Sequence, residues 1–176
     1  MTLTGDTLLD FRDRTGNTLP VAMILPAQDD CSFCVFLLGH RPYTILERSA
    51  TVALLVTREQ RGIGHLLAIP TAHRPTMLDL QPDEFAPLLE LTQRATAAIV
   101  GAFDVEGVAV WQNNGVSARQ SVPHLHIHVA GTLPGGGTEW GEVPRLSIAE
   151  TDGIADRLRP HLSPRRNSPQ HREFAV

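Results

Sequence analysis

A chain of 176 residues, 42% apolar and 19% charged, has the length and composition of one globular domain with a substantial core. A formal net charge of −4 offers no basic surface for a polyanion, which argues against a nucleic-acid partner. Every basic residue is arginine, so Schiff-base chemistry and a Walker-type phosphate loop, both of which need lysine, are excluded. The start, Met1 to Asp6, lacks the basic and apolar regions of a signal peptide, and no apolar stretch reaches the length of a membrane span. The expectation is a cytoplasmic protein with no membrane partner.

In chain order, residues 1–28 read as an arm, with a strand over Leu19 to Leu25 after the Gly16-Asn17 turn. Thr51 to Thr57 is apolar and β-branched, which predicts a central strand. His65 to Pro70 predicts another, entered through Gly62 and Gly64. Pro82 opens a long helix, with Asp83 and Glu84 at the positive end of its dipole. Phe85, Leu88, Leu89, Thr92, Ala95, Ile99 and Phe103 recur at helical spacing and predict its core stripe. Gly107 to Gln112 predicts a strand, Asn113-Asn114-Gly115 a turn, and His124 to Ala130 the next strand. Residues 131–144 form a glycine-rich loop, in which Trp140 is read as a packing residue, with a lid as the alternative. A short helix is expected from Ser147 to Leu162, and residues 163–176 read as a disordered tail. Strands around one long helix predict an α+β domain with a mostly antiparallel sheet and a short C-terminal helix.

The segment His124-Leu125-His126-Ile127-His128-Val129-Ala130 concentrates the chemistry. Side chains alternate along a strand, so the three imidazoles would share one face and Leu125, Ile127 and Val129 the other. Histidine serves proton transfer, nucleophilic attack and metal binding near neutral pH. A lone histidine on an apolar face is usually a satisfied core residue; three in register are not explained by packing.

Cys31 and Cys34 are the two cysteines, in the spacing Cys-x-x-Cys. Their spacing suits a redox pair, half a zinc site or neither. A zinc site would need histidines, because no further thiolate exists. A disulfide framework is not expected in a reducing compartment.

The histidine segment resembles the signature of the histidine triad (HIT) superfamily. GHLLAIPTAHRPTMLDL at 64–80, WQNNGVSARQSVPHLHIH at 111–128 and DDCSFC at 29–34 resemble its pre-helix strand and loop, its catalytic hairpin and the amino-terminal zinc half-site of its bacterial members. The resemblance implies a HIT-like fold over 29–162 and a nucleotidyl hydrolase cutting a phosphoramidate or phosphoanhydride at the α-phosphate. It implies His126 as nucleophile, forming a nucleotidyl-histidine that water cleaves, and His128 as a phosphate contact, a protonated imidazole aiding the leaving group. It implies Ser121, Asn113 and Gln120 near the phosphate, and His65 as support beside the catalytic strand. It also implies Cys31, Cys34, His73 and His124 as ligands of a structural zinc, and a homodimer with a nucleotide substrate. The hexose-1-phosphate uridylyltransferase branch carries glutamine where His128 stands, so His128 favours hydrolysis over transfer.

Three positions depart from the family pattern. Thr57 stands where an acidic residue usually holds the ribose, and Leu55 where an aromatic often lines the base pocket. Arg119 stands where glycine is general; it either clamps an anionic group or is solvated on a loop. Competing functions are a nucleotidyltransferase or phosphorylase, a metallohydrolase with a three-histidine site, and a nucleotide-binding protein without turnover.

Overall fold

The computed structural model describes residues 23–27 and 30–162; the expected arm over 1–18, most of the strand expected from Leu19, and the tail at 163–176 lie outside them. Residues 23–27 carry no regular element. The elements are α1 (Ser32–Leu37), β1 (Ile45–Arg48), β2 (Val52–Val56), β3 (Ile63–Pro70), α2 (Pro82–Ala102), β4 (Val108–Gln112), β5 (Ile127–Gly131) and α3 (Ile148–Leu158). The strands form one sheet in the order β1-β2-β3-β5-β4, and every neighbouring pair is antiparallel. This is the α+β architecture with a long helix and a short C-terminal helix that the sequence predicts.

The two faces of the sheet follow from the two-residue period of its strands. Val52, Leu54 and Val56 on β2, Leu66 and Ala68 on β3, and Ile127 and Val129 on β5 bury one face against Leu88, Leu91, Ala95, Ala98 and Ile99 of α2 and Ala155 and Leu158 of α3. Each fully buried leucine there contributes about 1.5–3 kcal/mol relative to exposure. The opposite face carries Ala53, Leu55, Leu67 and Ile69, covered by Phe33, Phe36 and Leu37 of α1. Cross-strand pairing sets Leu55 beside Leu67, Leu67 beside His128, and His128 beside Trp111 in one row. Thus the hydrophobic pattern that builds the helix-covered core also puts His128 and Trp111 on the other side.

α2 begins where expected. Pro82 takes the first helical position, and the Glu84 carboxylate accepts the Gln81 N–H at 2.8 Å. Its buried stripe differs from the predicted one. Leu91 and Ala98 are buried, whereas Phe85 and Leu89 are 49% and 67% exposed, which corrects their assignment to the core. α3 starts at Ile148, capped by Ser147, and its last turn tightens into a 3₁₀ turn at Arg159–His161.

The histidine segment is also shorter as a strand than predicted. β5 begins at Ile127, after the first two histidines of the triad. Pro70 and Pro123 carry no N–H for a ladder at this end. The carbonyls go to imidazoles instead: Pro70 O accepts from His124 Nε2 at 2.9 Å, and His124 O from His126 Nδ1 at 2.6 Å. The alternation survives outside the ladder, since Leu125 packs in the helix-side core with Ile127 and Val129.

Candidate active site and metal centre

A cavity of about 450 Å³ opens on the sheet face opposite α2. His126, His128, His65, Ser121, Asn113, Thr57 and Arg119 all line it. Each was singled out from sequence. Leu55 and Gln120 were singled out too, and the structure places them elsewhere. Leu55 is fully buried among Phe33, Phe36, Leu67 and Ile69 and does not reach the cavity, because its strand parity points it under α1. Gln120 is buried and its amide is committed to the loop: Oε1 accepts the Gly115 N–H at 2.7 Å, and Nε2 donates to Pro75 O at 2.7 Å and Val122 O at 3.0 Å. It shapes the turn that carries Ser121 rather than facing the cavity.

His126 has one defined nitrogen. Nδ1 donates to the His124 carbonyl, which can only accept, so Nε2 carries the lone pair. Burial lowers the pKa of His126, partly offset by that hydrogen bond, and holds it neutral. The Phe33 ring meets it edge-on with centroids 5.3 Å apart.

His128 sits between His65 and Trp111. Its Nδ1 is 3.0 Å from His65 Nε2, and its ring stacks on Trp111 with centroids 4.6 Å apart and planes within 2°. Burial, with the neighbouring His126, His65 and Arg61, pushes His128 down to about 2. Burial likewise pushes His65 down to about 4. His128 is therefore a neutral imidazole in the free site, which corrects the expectation of an imidazolium. His65 Nδ1 lies 3.1 Å from the Glu59 carbonyl and 3.2 Å from the Arg61 backbone nitrogen. His65 Nε2 and His128 Nδ1 share one proton at that distance, so each ring fixes the tautomer of the other.

These depressed values fix a pH dependence of stability. An unfolded histidine titrates near 6.5, so below that the unfolded chain takes up protons that His65 refuses until about pH 4. Stability is fully present above pH 6.5 and is lost as pH falls through this window, by about 1.4 kcal/mol per pH unit for one such proton. Denaturant titrations of wild type and His65→Gln between pH 7 and 4 check this. The wild-type stability is expected to fall more steeply than the variant's; parallel curves would contradict the assignment.

Sequence reasoning missed much of the remaining wall. Phe33, Phe36, Arg41, Tyr43, Arg58, Glu59, Arg61, Trp111 and Arg145 also line the cavity. Trp111 was findable, since it shares a face with His128 across the hairpin. The β2–β3 connection Arg58-Glu59-Gln60-Arg61 was a further signal, being two arginines beside a predicted site strand. Trp140, expected to pack, is 59% exposed at the cavity wall with its ring 6.0 Å from that of Trp111. Arg119 has φ of +66°, the left-handed region that glycine enters freely. This explains why glycine suits the position and marks strain retained at the cavity wall.

A second cluster lies behind the triad. One ligand atom from each of Cys31, Cys34, His73 and His124 falls within 4.8 Å of the other three. Sγ of Cys31 is 3.3 Å and Sγ of Cys34 is 3.6 Å from His124 Nδ1, and Cys34 Sγ is 3.4 Å from His73 Nδ1. Tetrahedral zinc with ordinary Zn–S and Zn–N bonds needs ligand separations of about 3.3–3.8 Å, which these three separations meet, so the donor set suits that ion. The Pro70 carbonyl fixes the His124 tautomer by holding Nε2–H, which turns a lone pair toward the thiols. Burial, then the Cys31 side chain, raises Cys34 to about 11 without an ion, so metal binding would release a proton. The triad imidazoles beyond His124 do not converge on such a point: His126 Nδ1 and His128 Nδ1 are committed to His124 O and His65.

With this geometry in place, comparison with known proteins fixes the family. The chain belongs to the HIT family, whose domain model matches residues 40–134. It is 32% identical over 111 residues to the adenosine 5′-monophosphoramidase of Schizosaccharomyces pombe, covering 63% of this chain and 78% of that protein. It is 30% identical over 102 residues to the adenylylsulfatase HINT3 of Arabidopsis thaliana, covering 58% of this chain. The match spans about half, 52%, of that protein's length. Among solved structures, a HIT-like protein of Bartonella henselae superposes with TM-score 0.70 at 20% identity, covering 77% of this chain and 98% of that one. A zinc-bound histidine triad protein of Mycobacterium smegmatis superposes with TM-score 0.65 at 24% identity, covering 75% and 92%. At a coarse level the chain is thus a HIT-family relative of nucleotide hydrolases.

Proposed function

We propose that the protein is a nucleotidyl hydrolase that cleaves a P–N or P–O bond at an α-phosphate through His126. The observation that carries this reading is the fixed tautomer: the His124 carbonyl takes Nδ1–H and leaves Nε2 nucleophilic in a cavity wall. The Nε2 lone pair attacks the α-phosphorus, the bond to the leaving group breaks, and its electron pair leaves with that group, which takes a proton. Water then attacks the nucleotidyl-histidine, and the P–N electrons return to Nε2. In this reading neutral His128 carries its proton on Nε2 and donates it to a phosphoryl oxygen, where charge builds in the transition state. Trp111 and His65 hold its ring. Ser121, Asn113 and Arg119 supply polar contacts around the phosphate from the loop that Gln120 braces, and Thr57 meets the ribose.

Cys31, Cys34, His73 and His124 hold a structural zinc in this reading. Four protein ligands leave no open position, so the ion braces the first histidine of the triad and takes no part in the reaction. A reducing, cytoplasmic setting suits these thiols, and no helix of the described residues is long and apolar enough to cross a membrane. Exposed Phe85, Leu89 and Val100 on the outer side of α2 support a homodimer.

The test is mononucleotide release from adenosine 5′-phosphoramidate, adenosine 5′-phosphosulfate and a dinucleoside polyphosphate, with and without inorganic phosphate. Release independent of phosphate is expected. Release that requires phosphate would identify a phosphorylase, and no release from any of the three would contradict the reading.

A further inference from the structure

The cavity is far more basic than a single α-phosphate requires. Arg41, Arg58, Arg61, Arg119 and Arg145 line it, in a chain whose net charge is negative. Among the described residues Glu59 is the one carboxylate in its wall, and it is drawn to Arg61 at 3.7 Å. His65 and His128 add no positive charge, being held neutral by burial.

The arginines fall into two groups. Arg61 lies at the reacting end: its N–H meets His65 Nδ1, and its charge bears on His65 and His128. Arg119 is two residues from Ser121 and belongs to the same end. The others lie along an aromatic run that leads away from His126. Phe33 is 5.3 Å from the His126 ring, Phe36 is 6.3 Å from Phe33, and Tyr43 stacks on Phe36 at 4.2 Å. At that far end Arg41 lies over the Phe36 ring at 4.8 Å. Arg145 bridges Glu59 through the backbone, two residues from Thr57, and its charge and the Thr57 hydroxyl both bear on the Tyr43 hydroxyl. The Arg58 guanidinium donates to the Leu146 carbonyl, which ties it to the Arg145 segment.

We infer that the cavity takes a nucleotide bearing a second phosphate on its ribose, held by Arg41 and Arg145 beside Tyr43 and Thr57. This rests on reading the cavity as a nucleotidyl site. An aromatic run suits the nucleoside, so an anion bound along it belongs to the nucleoside half and not to the leaving group. Arginine near a ribose is the general means of accommodating a ribose phosphate, where a carboxylate would bind a free hydroxyl. Thr57 fits that chemistry: it lines the same cavity, carries no charge to repel a phosphate, and can donate to one.

Calorimetric titration of the full chain tests this with four probes: adenosine 5′-monophosphate, its 2′,5′- and 3′,5′-bisphosphate analogues, and adenosine 5′-diphosphate. One ribose-phosphorylated probe is expected to bind about tenfold tighter than both the monophosphate and the diphosphate, as two charge-assisted contacts would give. That preference should collapse in Arg145→Gln and in Arg41→Gln, with melting temperatures near wild type. A diphosphate that binds as tightly as the tighter of the two bisphosphates would overturn the inference, since charge alone would then account for affinity. So would a preference that survives both substitutions. Binding is read separately from turnover: a bisphosphate preference in a protein that releases no mononucleotide would sink the hydrolase reading and leave the ligand class standing.

Discussion

Replacing His126 by alanine is expected to lower kcat/KM for mononucleotide release by a factor on the order of 10⁴–10⁶, as loss of a covalent nucleophile does elsewhere. Nδ1 is fixed by the His124 carbonyl, burial holds the ring neutral, and the Phe33 edge restricts its orientation. Of the other two triad imidazoles, His128 is paired with His65 and His124 faces the thiols. His128→Ala should cost less, since a neutral hydrogen-bond donor stabilises charge without forming a bond; about 10²–10³ is expected. Steady-state kinetics on the two variants, with circular dichroism to confirm folding, checks the ranking. Equal losses would contradict the separation of roles.

The second large effect concerns the metal. Cys34→Ala is expected to remove one equivalent of zinc per chain, read by atomic absorption, and to lower the melting temperature by roughly 10 °C. A loss of about 3 kcal/mol corresponds to such a shift at this chain size. The cluster ties α1, the loop after β3 and the first triad histidine together, so its loss frees three segments at once. Chelator should act on wild type the same way, slowly and together with unfolding. Activity that vanishes within seconds of chelation, ahead of any structural change, would instead point to a metal in the reaction.

How much of this was legible in the sequence differs from residue to residue, for physical reasons. The strand over Thr51 to Thr57 and the helix from Pro82 were legible because a β-branched apolar run and a proline-acid helix start are local signals. The core stripe of α2 was legible only in part. Phe85-Leu88-Leu89-Thr92 and Leu88-Leu91-Ala95-Ala98 are both helical stripes, and only docking onto the sheet decides which one is buried. α1 and β1 were missed because six and four residues are too few to show a period. The triad faces came out correctly even though its strand starts three residues late, because Leu125, Ile127 and Val129 needed the same core. Leu55 was misplaced because α1, unseen in sequence, covers it. The arginine wall was legible only in part: Arg119 stood out and Arg58 and Arg61 share one connection, but only the fold brings them to one cavity with Arg41 and Arg145.

The central claim is that His126 forms a bond to the α-phosphorus. Acid-quenched turnover of adenosine 5′-phosphoramidate, followed by peptide mass spectrometry, measures it most directly. The account predicts an adenylyl adduct on the peptide holding residues 124–130, localised to His126 and absent from His126→Ala. Turnover without any adduct, or an adduct on another residue, would contradict it.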